Sequence, residues 1–270
     1  MKPIFEIEQF DIADCKKPLL SLKFGSKYCN FCITDIESQQ LFYLCYLTMD
    51  KINAASLNEI FNHPKIDATN FSKVQISYDF NASTLISFRN FKHEDAGLIL
   101  HTLYGVNATS AIISETIVDW QLYNVYAIPK ILQESVSKNF PLANYWHQNT
   151  ISIKQHTLMN ADGRMIVDVK NDGVSVLVFV NGTILLAQTY SYATPLDVLF
   201  QLLNICHQFN LSSTLIQLEV SGLIDEQSAL YIELLQYFNH ISLRNANWQM
   251  NDSLPAHYFT SINDLAACAS

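Results

Sequence analysis

The segment from Gly163 to Tyr192 constrains the fold of this chain most strongly, because it predicts three consecutive strands joined by tight turns. Met165 to Val169 and Val174 to Val180 are rich in β-branched residues, which suit a pleated and packed surface. Thr183 to Tyr190 forms the third predicted strand. Asn, Asp and Gly, which tolerate positive φ, separate these strands. The second strand is almost entirely apolar, which is typical of a strand covered on both faces.

The sequence then predicts a helix whose N-terminus is marked by capping residues. Thr194 is a favourable N-cap, Pro195 suits the first helical position, and Asp197 favours the positive end of the helix dipole. Three further elements are predicted after this helix: a strand from Thr214 to Val220, a helix whose N-cap is Asp225, and a strand from His240 to Leu243. The predicted order is therefore three strands, helix, strand, helix and strand.

The first half of the chain shows a similar order without clear sequence identity. Its predicted strands are Leu19 to Phe24, Lys27 to Thr34, Gln40 to Thr48, Lys73 to Asp79, Ala111 to Thr116 and Trp120 to Ala127. Its predicted helices are Ala54 to Asn62, Glu94 to Tyr104 and Pro129 to Phe140. We therefore predict an α/β chain with two subdomains of mixed sheets flanked by helices, spanning residues 1–150 and 151–270.

Composition narrows the class of protein. The chain has 270 residues, of which 49% are hydrophobic and 15% charged, which is typical of a well-buried globular protein. It has no apolar run of the ~20 residues that span a bilayer and no N-terminal secretion signal, so we expect a cytoplasmic protein without membrane insertion. The net charge is −9 and the basic residues are scattered, which disfavours nucleic-acid binding.

Cysteine and histidine do not predict a metal site. Cys29 and Cys32 match a C-x-x-C pattern, but they fall inside a predicted strand, where residues three apart point to opposite faces. We therefore interpret them as small buried side chains. No histidine has a spaced carboxylate or thiol partner of a recognisable ligand set, so we predict no metal site. The stretch 245–270 has little pattern, and either an appended segment or a docking arm fits it.

The chain resembles an uncharacterised bacterial protein family with an actin-like ATPase fold, similar to the actin-like proteins of pilus assembly and type II secretion. The resemblance covers most of the chain and is clearest from Gly163 to Phe238. It implies a duplicated ribonuclease H-like fold, with two subdomains around a nucleotide cleft. It also implies two phosphate loops of the type Asp-x-Gly and a Gly-Gly adenosine loop, where glycine lets backbone amides approach the ligand.

Each of these three loops is altered in this sequence. The first phosphate loop falls on Lys23-Phe24-Gly25, where lysine replaces the metal-side acid. The second falls on Asp168-Val169-Lys170, where lysine replaces the glycine, and the turn continues through Asn171, Asp172 and Gly173. The adenosine loop falls on Ser221-Gly222-Leu223, which keeps one glycine. The whole chain contains only seven glycines, so its backbone has few positions that suit a conventional nucleotide site.

Two interpretations of the altered loops stay open. In one, the chain is a non-catalytic module with a vestigial nucleotide cleft, no cofactor and no catalytic residue, which binds an unknown protein partner. Lys170 and Asp172 are then solvated turn residues. In the other, the chain binds ATP with Mg²⁺ through unusual loops, with Lys23 and Lys170 neutralising phosphates and Asp168 or Asp172 holding a cation. The resemblance also allows a homo-oligomer, because actin-like proteins commonly self-associate.

Overall fold

The computed structural model describes residues 2–67, 69–155, 163–171, 173–248 and 254–268. The chain divides into two compact units. The first unit contains the described residues within Met1–Ile151, Trp248–Ser253 and Ile262–Ser270, and the second contains those within Ser152–Asn247 and Leu254–Ser261. No helix in the described ranges combines the length and the apolar character that a bilayer crossing requires.

Nine strands and five α-helices occur in the described chain up to residue 154. In chain order they are β1 (Lys2–Glu8), β2 (Pro18–Gly25), β3 (Tyr28–Asp35), β4 (Leu41–Thr48), α1 (Ala54–Phe61), α2 (Pro64–Asp67), β5 (Lys73–Asp79), β6 (Ser83–Ser87), α3 (Ala96–Tyr104), β7 (Ser110–Ile117), β8 (Leu122–Pro129), α4 (Lys130–Asn139), β9 (Asn144–His147) and α5 (Gln148–Lys154). Short 3₁₀ helices lie at Ile12–Asp14, His93–Asp95 and Val118–Trp120.

The main sheet of the first unit has the order β1-β4-β3-β2-β5-β9, and a smaller sheet has the order β6-β8-β7. β2, β3 and β4 pair antiparallel, whereas β5 and β9 continue the sheet in parallel. Alternate side chains of β2, β3 and β4 pack against α1 and α4 in one core. The six strands and three helices predicted for this half are confirmed within a few residues at each end.

Three strands of the first unit were not predicted from the sequence. β1 is an edge strand in which only Ile7 is fully buried, so it lacks the alternation of a strand with one covered face. β6 and β9 have only five and four residues, too few for a periodic pattern to emerge. These segments are therefore strands because they pair with neighbouring strands, which the local sequence does not indicate.

The described chain from residue 163 onwards forms the remaining elements. They are β10 (Arg164–Val169), β11 (Val174–Val180), β12 (Thr183–Tyr190), α6 (Pro195–Gln208), β13 (Gln217–Gly222), α7 (Ala229–Leu235), β14 (His240–Leu243), a 3₁₀ helix (Ala256–Phe259) and α8 (Thr260–Ala267). The sheet order β12-β11-β10-β13-β14 repeats the order β4-β3-β2-β5-β9 of the first unit, with the same sequence of antiparallel and parallel pairs. The predicted duplication is therefore present in the topology.

The helix starts of the second unit show one confirmed prediction and one error. Thr194 caps α6, and Asp197 completes a capping box by accepting the backbone N–H of Thr194. Asp225 does not cap α7, because the chain makes a further turn before the helix and Ser228 accepts the N–H of Tyr231 instead. Asp225 accepts the Tyr258 hydroxyl at 2.6 Å.

The cysteine pair and the C-terminal stretch have clear positions. Cys29 and Cys32 are both fully buried in β3, and Cys29 alone of the two belongs to the first unit's main core, as expected for residues on opposite faces. In the C-terminal stretch, Ile262 and Leu265 of α8 are fully buried. The amide of Gln75 in β5 donates to the carbonyl of Cys268 at 3.4 Å. The described part of the stretch, residues 254–268, is thus packed and is not a free docking arm.

Candidate nucleotide site

The first predicted phosphate loop lies at the end of β2 and contains a buried ion pair. Lys23 is only 2% exposed, and its Nζ lies 3.0 Å from Oδ2 of Asp79, whose side chain is also 2% exposed. The Tyr28 hydroxyl donates a short hydrogen bond to the same oxygen. The ring of Tyr28 lies 5.8 Å from the ammonium. The charge of Lys23 is therefore balanced by a carboxylate of its own unit.

Gly25 serves the packing of Tyr28. A Cβ added at Gly25 would lie 2.2 Å from an edge carbon of the Tyr28 ring, closer than any real contact. The ring therefore rests on the glycine backbone, where a nucleotide phosphate would need close access. The glycine that the first loop retains is required by a contact inside the unit.

The second predicted phosphate loop joins β10 to β11. Asp168 is half-buried, and Ser221 Oγ donates to its Oδ1 at 3.2 Å. Lys170 N donates to the carbonyl of Gly173 at 2.8 Å and closes the turn. Gly173 is itself tightly placed, because an added Cβ would lie 2.8 Å from the carbonyl oxygen of Tyr190. Asp172 lies outside the described residues.

Lys170 is not a solvated turn residue, and that prediction is wrong. The residue is only 5% exposed, and its carbonyl accepts the Tyr192 hydroxyl at 3.2 Å. Turn sequences rich in Asn, Asp and Gly usually face solvent, so the pattern suggested exposure. The segment that follows β12 contains Tyr192 and lies against this turn instead.

The predicted adenosine loop meets the second phosphate loop inside the second unit. Gly222 has φ of +84°, and an added Cβ would lie 2.1 Å from the carbonyl oxygen of Val169 and 2.8 Å from Oδ1 of Asp168. Leu223 N donates to the same carbonyl at 2.8 Å. The structure thus brings Asp168, Ser221 and Gly222 together, and glycine is required for this close approach.

The strand registers make Lys23 and Asp168 equivalent positions of the duplicated fold. Each of the two residues lies one position before the last pair of its hairpin. Each also has a serine beside it on the parallel strand, Ser77 for Lys23 and Ser221 for Asp168. The same strand site therefore carries a buried cation in one unit and a carboxylate in the other.

Asp79 and Tyr28 are the site residues that the sequence did not reveal. Asp79 ends a strand with clear alternation, and the register places it beside Gly25. A parallel pairing of β2 with β5 would have placed the two strand ends together, since parallel strands bring their carboxyl ends to one edge. A prediction that β2 and β5 pair in parallel would therefore have placed Asp79 beside Gly25.

A cleft of about 1050 Å³ lies in the second unit beside the end of β14. Its lining residues are Asp225, Glu226, Gln227, Ser228, Leu243, Asn245, Ala246, Pro255, Ala256 and His257. His257 Nε2 lies 2.6 Å from the carbonyl oxygen of Ile224, and burial together with the hydrogen bond to Asp225 raises the pKa of Tyr258 to about 12. With two carboxylates and no Lys or Arg, this lining disfavours a phosphate.

The residues present do not fit a conventional magnesium–nucleotide complex. The first loop carries a cation where the metal-side acid belongs, and that cation is already paired. Within the described ranges, no group of three or more His, Cys, Asp or Glu side chains is arranged to hold a metal ion. Mg²⁺ in phosphoryl-transfer sites is held by carboxylates and by the phosphates themselves.

Comparison with known proteins places the chain in a family. The profile of a family described as "protein of unknown function (DUF3822)" matches residues 7–241. The chain belongs to this family. A search of curated proteins finds no match.

Two solved structures share the fold of this DUF3822 family member. A protein with actin-like ATPase fold and unknown function from Bacteroides thetaiotaomicron is 19% identical, with a TM-score of 0.79 over 96% of this chain and 99% of that chain. A structure of the PilM–PilN type IV pilus biogenesis complex is 10% identical, with a TM-score of 0.64 over 93% and 98%. These likenesses confirm the predicted actin-like ATPase fold with two ribonuclease H-like units.

Proposed function

We propose that this protein is a non-catalytic actin-like module, in which the nucleotide site is vestigial and the scaffold binds a protein partner. The ion pair of Lys23 with Asp79 carries the proposal. To meet a phosphate, Lys23 would have to separate from the carboxylate of Asp79, which would lose its cation in a site that is 2% exposed. Breaking a buried pair in this way costs about 3 to 5 kcal/mol, which a bound nucleotide would have to offset.

The first loop also lacks room for a nucleotide to replace that pair. Tyr28 covers the backbone of Gly25 and donates to Asp79, so the loop's backbone and its one acid are both occupied. Phosphoryl transfer needs positioned acids, a positioned water and close backbone donors. At Lys23-Phe24-Gly25 a paired lysine replaces the metal-side acid and Tyr28 covers the backbone of Gly25, so we assign no catalytic residue.

A protein of the same fold supports partner binding as the alternative use of the scaffold. PilM is found in a complex with PilN in type IV pilus biogenesis. We extend the same kind of role, binding a protein partner, to this chain. We further propose that the protein works in the cytoplasm, since its six cysteines are all free thiols, and that it binds no nucleic acid. Self-association is a secondary proposal.

One observation favours the other interpretation, an ATP-binding protein with atypical loops. Gly222 keeps the positive φ of a close-approach glycine, and it lies against Asp168 with Ser221. The second unit therefore brings together three of the residues that this interpretation assigns to a nucleotide site. The first loop does not offer the groups that this interpretation also requires, so we rank the ATP-binding interpretation second.

Thermal unfolding with and without Mg-ATP separates the two interpretations. A ligand at 100 times its Kd adds about 2.7 kcal/mol of stability, which raises Tm by roughly 5 to 10 °C in a chain of this size. We expect no shift at millimolar Mg-ATP. A shift of several degrees that is lost in Asp168→Asn and in Lys170→Ala would overturn the proposal. Leu98→Ser, on the exposed surface of α3, serves as the matched control.

A further inference from the structure

The outer surface of α6 and α7 carries large apolar side chains. Both helices pack on one face of the second unit's sheet, because Val198, Leu202 and Leu234 share a core with alternate residues of β10, β11 and β13. The opposite sides of the helices face outward. We define the α6–α7 face by the five exposed apolar residues there: Leu196, Phe200, Ile232, Leu235 and Tyr237.

These residues have the spacing of a binding stripe. Leu196 and Phe200 are four residues apart on α6, and Ile232 and Leu235 are three apart on α7, so each pair lies on one side of its helix. Phe200 is 66% exposed and Leu196 59%. Single exposed leucines are ordinary, but two such pairs on two helices that contact each other are more exposed apolar surface than a monomer usually carries there.

The stretch of chain that forms this face carries charged residues of one sign. The sequence contains no Lys or Arg between Lys170 and Arg244. Over the same stretch it contains six acids: Asp172, Asp197, Glu219, Asp225, Glu226 and Glu233. Glu219 is paired with Arg164, while Asp197, Glu226 and Glu233 lie on or next to the two helices. Asp197 accepts the N–H groups of Ala193 and Thr194, which lower its pKa and keep it charged.

We propose that the α6–α7 face binds a helical segment of a partner protein that carries an apolar stripe flanked by Lys or Arg. This inference rests on the proposed partner-binding function and specifies its surface and its chemistry. Apolar contact supplies the affinity, and the acidic surroundings select against neutral or acidic helices. The acids would equally repel an anionic membrane surface, so a basic protein segment is the occupant that fits.

A designed peptide pair tests the charge requirement directly. The probe is a labelled helical peptide of about 18 residues, with leucines at i, i+3, i+4 and i+7 and lysines on both sides of the stripe. The control peptide has glutamates in place of the lysines. Fluorescence anisotropy measures the affinity of the full chain for each peptide. We expect the basic peptide to bind at least about tenfold more tightly, and the difference to shrink as salt screens the charges.

Variants of the face locate the binding. The double variant Phe200→Ser with Leu235→Ser should lower the affinity for the basic peptide at least about tenfold. The double variant Glu226→Lys with Glu233→Lys should reduce the difference in affinity between the basic and the acidic peptide. Leu98→Ser with Leu103→Ser, at exposed leucines of α3, should leave binding unchanged. Because all these side chains are largely exposed, or half-buried in the case of Glu233, circular dichroism should show unaltered folding.

Three outcomes overturn the inference. The first is that the basic peptide binds no more tightly than the acidic one. The second is that the α6–α7 variants bind the basic peptide as tightly as the wild type does. The third is that sedimentation shows a dimer that Phe200→Ser dissociates. The last result would assign the face to a second copy of the chain. These failures leave the proposed function standing, since that proposal fails only when Mg-ATP stabilises the protein through Asp168 and Lys170.

Discussion

The ammonium of Lys23 lies 3.0 Å from the carboxylate of Asp79, and the two side chains are each only 2% exposed. In the second unit the equivalent strand position holds Asp168, which accepts the Ser221 hydroxyl. The equivalent strand position therefore holds an internal ion pair in one unit and a hydrogen-bonded carboxylate in the other. The following predictions test what that pair and the neighbouring glycines do.

Removing one partner of the buried pair should destabilise the protein strongly. Asp79→Asn and Lys23→Met each leave an uncompensated buried charge, which we expect to cost about 3 to 5 kcal/mol in urea unfolding. The double variant should cost less than the sum of the two. Glu37→Gln is the matched control, because the Lys17–Glu37 pair is 55% and 60% exposed and should therefore contribute little to stability. Equal, small effects at both pairs would contradict this account of Lys23.

Gly222 should not tolerate a side chain. Its φ is +84° and an added Cβ would lie 2.1 Å from the Val169 carbonyl oxygen, so Gly222→Ala must displace the end of β13 or of β10. We expect a loss of about 3 kcal/mol or more in the free energy of unfolding. Gly105→Ala is the control, because Gly105 has φ of +67° and open space around its Cα. That variant carries backbone strain alone, about 1 to 2 kcal/mol, and equal losses at the two positions would refute the close-contact explanation.

Asp35 should make stability depend on pH in the acid range. Burial alone would raise its pKa, but N–H groups of Lys16, Lys17, Glu37 and Ser38 donate to the carboxylate, and the net pKa is lowered. The ionised form is favoured by folding, so its contribution is full above the unfolded pKa near 4 and is lost as pH falls through the folded pKa. We expect Asp35→Asn to cost about 2 kcal/mol at pH 7.

The pH profile of that variant provides the check. The difference in unfolding free energy between Asp35→Asn and the wild type should shrink steadily as pH falls below about 4. A difference that stays constant across this range would mean that the carboxylate charge does not contribute. The Asp11→Asn variant removes an exposed carboxylate that accepts the Ala13 N–H, and it should show a much smaller difference.

Much of the fold could be predicted because its signals are local. β11 and β12 match their predicted bounds, since Asn and Gly turns and β-branched runs delimit them. The start of α6 matches because Thr194, Pro195 and Asp197 act within one turn. β9 and the cap of α7 could not be predicted, because a four-residue parallel edge strand and one extra turn of chain leave no periodic pattern.

The site could be predicted only in part, because its decisive contacts are not local. Lys23 was recognised as anomalous, but its partner Asp79 lies far along the chain and meets it through parallel strand pairing. Lys170 is buried, and Tyr192, which follows β12, donates to its carbonyl, a contact that the turn sequence does not indicate. The two-subdomain boundary at residue 150 stays a prediction, as do the partner and the oligomeric state.

Isothermal titration calorimetry with Mg-ATP tests the central claim most directly. The account predicts no saturable heat with the wild-type chain at ATP concentrations up to about 1 mM, a range that saturates a site whose Kd is well below 1 mM. It also predicts none with Asp168→Asn, while urea unfolding shows both proteins folded. A saturable isotherm with the wild type, abolished by Asp168→Asn, would contradict the account and establish a nucleotide site in this fold.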